Sequence, residues 1–107
     1  MIFQHTLDKV LSGQKTQTRR IIRPGEQRPR WNVGRVYAVQ PSRRHKAVAR
    51  IEITDVRRQR LGEITQEDAQ AEGFSDVAEF AQVWTNIHGH YNPETEVWVV
   101  SFRLVGA

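Results

Sequence analysis

From Ala47 to Arg57 the chain alternates: Val48, Arg50, Glu52 and Thr54 stand against Ala49, Ile51, Ile53 and Asp55. Side chains leave a β-strand on opposite faces with a period of two, so this segment is predicted as a strand with one charged face in water and one mostly apolar face on a core. Half-buried strands belong to antiparallel sheets, because strands of parallel sheets are covered on both sides. A chain organised around this segment is steered away from a doubly wound fold.

The other elements agree. Thr16 to Ile22 is rich in β-branched residues and is expected to be a strand, as is Gly34 to Gln40, which Pro41 stops. Val97 to Val105 is long and strongly β-prone, which marks it as central. Thr6 can cap a short helix carrying Leu7, Val10 and Leu11, with Gly13 ending it. Thr65 and Asp68 have capping-box spacing and open a helix that ends at Gly73. Ser75 or Asp76 begins another, with Val77, Phe80, Ala81, Trp84, Ile87 and His88 at helical spacing and Gly89 as terminator. Between the first two strands, Arg23 to Arg30 holds two prolines and a glycine and reads as a long basic loop. Helix, three strands, two helices and a strand predict an α+β domain, a small β-barrel flanked by short helices, and 107 residues suit a single domain over 1–107.

Cysteine is absent, so no disulfide, thiolate nucleophile or cysteine-ligated metal enters the argument. His88 and His90 form the only close histidine pair and lack a third ligand at a recognisable spacing, so no metal and no cofactor is expected. No apolar run is long enough to span a membrane, and a cytoplasmic protein is expected. Charge is divided unevenly. Residues 1–60 carry fifteen of the 16 Lys and Arg against four acids, a net +11, and the remainder carries one against eight, a net −7. This asymmetry points to a polyanionic partner for the basic part, or to arginines that pair with the acidic helices.

The densest chemistry lies in Gly13-Gln14-Lys15-Thr16-Gln17-Thr18-Arg19-Arg20. By strict alternation Thr16, Thr18 and Arg20 share one face of an extended segment while Lys15 falls with Arg19; Lys15 joins Thr18 in one pocket only if the chain is still turning near Gly13. The run Gly-x-Lys-Thr-x-Thr-x-Arg after a short helix resembles the signature of the ASCH family, a branch of the PUA-like superfamily. Gly34 to Gln40, Leu61 to Ala69, Ala71 to Phe74 and Val97 to Phe102 follow in the same order as in that family, so the resemblance covers nearly the whole chain.

The resemblance implies a PUA-like barrel whose cleft is floored by the lysine-bearing segment, and a ligand that is RNA or a nucleoside or nucleotide. One bacterial branch is similar to an amidohydrolase acting on acetylated cytidine, whose lysine, threonine and glutamate fall here on Lys15, Thr18 and Glu72; another is reported to cleave RNA. The chemistry is intelligible by itself: a lysine depressed by burial can take the proton of a threonine hydroxyl, and a carboxylate can pass it to a leaving amine. The same residues can equally bind phosphate and a base edge. The expected ligand contacts are Gly13, Thr16, Arg19, Arg20, the basic pair Arg43 and Arg44, and Tyr37 or Trp31 as stacking surfaces. Arg57, Arg58 and Arg60 form a further basic cluster at a strand end, and a role in protein interaction through the acidic helices stands as a weaker alternative.

Overall fold

The computed structural model describes residues 1–106. Among them four strands form one antiparallel sheet: β1 (Gln17–Ile21), β2 (Val36–Val39), β3 (Ala49–Arg60) and β4 (Glu96–Gly106), in the spatial order β1-β4-β3-β2. The helices are α1 (Leu7–Leu11), α2 (Gln66–Ala71) and α3 (Val77–His88), with a single 3₁₀ turn at Leu61–Glu63. The class is α+β, and the sheet is open, with β1 and β2 as its edges. An N-terminal arm partly covers the β2 side, where Ile2 forms a parallel bridge to Gln40 and the Phe3 amide donates to the Gln40 carbonyl at 3.0 Å.

β4 is central because its apolar run serves both faces. Trp98, Val100 and Phe102 join Phe3, Val10, Val39, Ala49, Ile51 and Ile53 in one core, whereas Val97 and Val99 join Leu61, Ile64, Ala69, Phe80 and Trp84 in a second core under the helices. The alternation of β3 breaks once. Ile53 pairs with Phe102 and Asp55 with Ser101, which leaves Thr54 as an extra residue. Past this bulge the faces exchange, so Val56 turns inward and Asp55, expected on the apolar face, is exposed. The bulged strand then runs to Arg60, three residues beyond its expected end.

Local signals at the helix ends are realised in detail. The Thr65 hydroxyl accepts from the Asp68 amide while the Asp68 carboxylate accepts from the Thr65 amide, and Asp76 caps α3 by accepting from the Glu79 amide. Thr6 precedes α1 without a side-chain capping bond. Gly73, at φ +98°, ends α2, and a Cβ there would stand 2.8 Å from the Lys9 side chain. The bare glycine lets two elements meet closely: Lys9 Nζ reaches the Gly73 carbonyl, and the Thr16 amide donates to the Ala71 carbonyl at 2.7 Å. The end of α2 is thereby clamped against the chain entering β1.

Candidate functional site

The clamp brings together residues more than fifty positions apart. Lys15 Nζ donates to Glu72 Oε1 at 2.6 Å and to the Glu72 carbonyl at 3.1 Å. Arg19 approaches the same carboxylate from the other side, with Nη1 3.1 Å from Oε2. Its Nη2 lies 3.2 Å from Asp68 Oδ2, an ionic contact without hydrogen-bond alignment. The Arg19 Nε donates to Gln59 at 3.0 Å. Lys15, Thr18, Arg19 and Glu72 are the buried polar and charged residues among those described, each at most 5% exposed.

All four line one cavity of about 350 Å³. β1 and Lys15 line it along with Glu72 and Phe74 from the end of α2, Trp84 and His88 from α3, and Phe3, Gln4 and His5 from the arm. Aromatic rings come from both α3 and the arm. His88 stacks on Trp84 with ring centroids 4.2 Å apart, and the Arg20 guanidinium lies 5.2 Å from the centre of the Phe3 ring. Such a slot suits a flat ring, with polar groups at one end to read its edge.

Electrostatics divide the cations of the cavity. Burial pushes the Lys15 ammonium below the ordinary lysine range; Glu72 opposes the fall, and Arg20 and Arg19 add to it. Burial alone would raise the Asp68 carboxyl, but the Thr65 amide, Arg19, Gln17 and the Thr65 side chain together hold it below its usual value. Burial lowers His88, and His90 lowers it further, which favours a neutral imidazole on the wall. Lys15 and Arg19 spend their charge on Glu72 and Asp68. Arg20 has no carboxylate within ion-pair distance among the described residues, although the charge of Glu72 reaches it: one Nη donates to the Ile2 carbonyl at 2.9 Å, and its buried Nε has no partner.

The remaining sequence candidates separate from this group. Gly13 and Thr16 are exposed and outside the cavity; the backbone of Thr16 is taken up by Ala71 and Phe102. Tyr37 packs against the first core and accepts from the Asn32 amide at 2.9 Å, and Trp31 packs there beneath Arg30, so neither faces the cavity. The rings that do line it include Phe3, Phe74, Phe80, Trp84 and His88; of these the sequence assigns Trp84 to the core side of an amphipathic helix and His88 to the helix end. Trp84 is both, since a helix face that outruns the core becomes a cavity wall, and helical spacing does not distinguish the two. Asp68 and His5 carry no separate signal. The Arg23–Arg30 loop also stays outside: Trp98 Nε1 donates to Glu26 at 2.8 Å and Arg30 pairs with the same carboxylate, which folds the loop onto the sheet.

Arg43 and Arg44 line a second cavity, of about 340 Å³, together with Ile2, Gln4 and Ser42. Arg57, Arg58 and Arg60, by contrast, pair with Asp68, Glu96 and Glu94. Among the described residues no group of three His, Asp or Glu is placed to hold a metal, and no helix is long and apolar enough to cross a membrane.

Over residues 2–106 the sequence matches the ASCH domain family. The fold is similar to the crystal structure of an ASCH domain from Lactobacillus crispatus JV V101, at a TM-score of 0.77 and 21% identity, covering 94% of this chain and 70% of that one. It is also similar to a protein from Enterococcus faecalis V583, at a TM-score of 0.70 and 23% identity, covering 92% of this chain and 69% of that one. No curated protein gives a match.

Proposed function

Because the chain belongs to the ASCH family, we propose that it is a single ASCH domain that binds RNA, admitting one nucleotide base to the cavity over β1. The observation that carries this reading is the convergence of Lys15, Thr18, Arg19 and Glu72 on an aromatic-walled slot that also holds Arg20, which forms no ion pair. A base stacks against Trp84 and His88, which is worth about 1–3 kcal/mol for each stacked base. Thr18 and Lys15 bond its edge, and Arg20 takes the negative charge of its phosphate. RNA as ligand is in keeping with a cytoplasmic setting. Fluorescence anisotropy with a short single-stranded RNA tests the reading: wild type binds with an affinity that falls steeply with salt, and Lys15→Ala weakens binding about ten-fold or more, the loss of one charged hydrogen bond. Binding unaffected by Lys15→Ala would remove the cavity from the interface.

A second reading, hydrolysis of acylated cytidine by Lys15, Thr18 and Glu72, is supported by one feature, a buried lysine with a depressed pKa beside a threonine on the same cavity. Two of the three Lys15 donors are taken by Glu72, however, and among the described residues no hydrogen bond joins Lys15 to Thr18. Catalysis would require that bond to form with ligand bound. Product analysis after incubation with acetylated cytidine decides this reading separately from binding.

A further inference from the structure

The arginines that line the two cavities without pairing are not scattered. Lys15 and Arg19 are neutralised inside the first, and Arg57, Arg58 and Arg60 are neutralised outside it. The cations lining either cavity with no carboxylate partner among the described residues are Arg20, Arg43 and Arg44. They flank one element. Ile2 and Gln4 of the N-terminal arm line both cavities, and the Ile2 carbonyl is fixed by Arg20 on one side while the arm is bonded to Gln40, just ahead of the Pro41–Lys46 turn, on the other. That turn is held in its own right, with the Gln40 side chain donating to the His45 carbonyl at 3.0 Å and Ser42 bonded to His45. Arg43 and Arg44 are exposed on it, so their forks are free to meet a ligand.

We propose that the arm is a saddle crossed by a single RNA strand, one nucleotide dropping into the first cavity beside Arg20 and the adjoining phosphate resting on Arg43 and Arg44 in the second. This rests on the RNA reading above and sharpens it. Two anion receptors on either side of one element call for a ligand with at least two phosphates, so a free nucleoside or mononucleotide would fill only one of them. They also call for an unpaired strand, because a duplex surrenders a base to such a slot only after unstacking it.

The test uses a short fluorescein-labelled mixed-sequence RNA, single-stranded or annealed to its complement, with cytidine monophosphate as competitor. Arg43→Gln/Arg44→Gln is expected to weaken single-strand binding about ten-fold or more at physiological salt and to lower the salt slope by roughly 0.7, for the one phosphate the pair holds. Arg43→Lys/Arg44→Lys should keep most of the slope, since charge rather than fork geometry sets it. Arg58→Gln/Arg60→Gln, which removes paired cations, should cost much less. Equal losses from both glutamine pairs would mean diffuse attraction and overturn the subsite. Undiminished binding by Arg43→Gln/Arg44→Gln, with Lys15→Ala still weakening it, would overturn the saddle and leave the cavity standing. If neither weakens binding, the RNA reading falls and the saddle with it. Duplex binding as tight as single-strand binding, or displacement by the mononucleotide as effective as by unlabelled strand, also refutes the proposal.

Discussion

Two of the places where arginine meets carboxylate in this domain have opposite physical meaning. Beneath α2, Arg19 and Lys15 share Glu72 with side-chain exposures of 0% and 4%. Along the outer half of β3, Arg58 and Arg60 reach Glu96 and Glu94 with exposures between 51% and 73%. In water such pairs contribute little, because solvent already screens both ions and long side chains lose rotamer freedom by pairing. Under α2 the ions have left water, so each depends on its partners, and removing one leaves an uncompensated charge. The same residue types therefore build a sensitive, closely fitted site in one region and a tolerant surface in the other.

Glu72→Ala is the hardest test of that contrast. It strands Lys15 and frees one side of Arg19, at a cost of about 3–5 kcal/mol, and should lower the melting temperature by more than any exposed charge removal in the chain. Urea denaturation measures it; a loss below about 1 kcal/mol would place the pair in the same class as the β3 pairs. Truncating the purely apolar core provides the reference. Ile51, Trp98 and Phe102 share one packed cluster, and Ala at any of them should cost on the order of 2–5 kcal/mol. A buried charge cluster about as costly to breach as the hydrophobic core is the outcome expected.

How much of the fold is legible in the sequence depends on how locally each feature is decided. The Thr65–Asp68 box, the Asp76 cap and the Gly73 and Gly89 terminators are legible because each is settled within four residues. The centrality of β4 is legible from its unbroken apolar run. The bulge at Thr54 is not, because it is a mismatch of register with β4 and leaves no mark on β3 alone. The open sheet is hidden for the same reason, since closure depends on how edge strands meet. At the site, Lys15, Thr18 and Glu72 can be named only through the family resemblance; Lys15 reaches Glu72 through the clamp of Lys9 on Gly73 and Thr16 on Ala71, which no spacing rule encodes. Trp84 reads as a core-side residue and His88 as a helix-end one, whereas Tyr37 and Trp31, the expected stacking rings, pack on the first core.

Lys15 offers a smaller effect with a definite sign. Its folded pKa is lowered while the unfolded chain keeps the ordinary value of 10.5, so between those two points the unfolded state binds the extra proton and stability rises with pH. Wild type should therefore gain stability relative to Lys15→Met when urea midpoints are compared at about pH 7 and about pH 10. A relative loss would mean that Glu72 holds the proton on Lys15 more firmly than burial removes it. The hydroxyl of Thr18 is tested on the same cavity without touching charge. Thr18→Val keeps the shape and should weaken RNA binding by up to about ten-fold if the hydroxyl bonds a base edge; if acetylated cytidine is turned over, Thr18→Ser should retain activity and Thr18→Val none.

The smallest effect belongs to the exposed pairs, and it is the other half of the contrast. Arg58→Gln/Arg60→Gln removes two cations from a strand whose backbone ladder to β4 is untouched, since Arg58 pairs with Trp98 and Arg60 with Glu96 through main-chain register. What is lost is two screened contacts, at 3.3 Å and 3.7 Å, and the packing of the Arg58 guanidinium over Trp98. An exposed ion pair is worth about 0.2–1 kcal/mol, and a cation over an aromatic ring about 0.5–1 kcal/mol at an exposed site. The double variant should consequently unfold within about 3 kcal/mol of wild type at the very most, and most of that difference should persist in high salt if the Trp98 contact carries it. Complete loss of the difference in high salt would assign it to the carboxylates instead. A destabilisation matching that of Glu72→Ala would show that burial is not what separates the two regions, and the contrast between them would have to be abandoned.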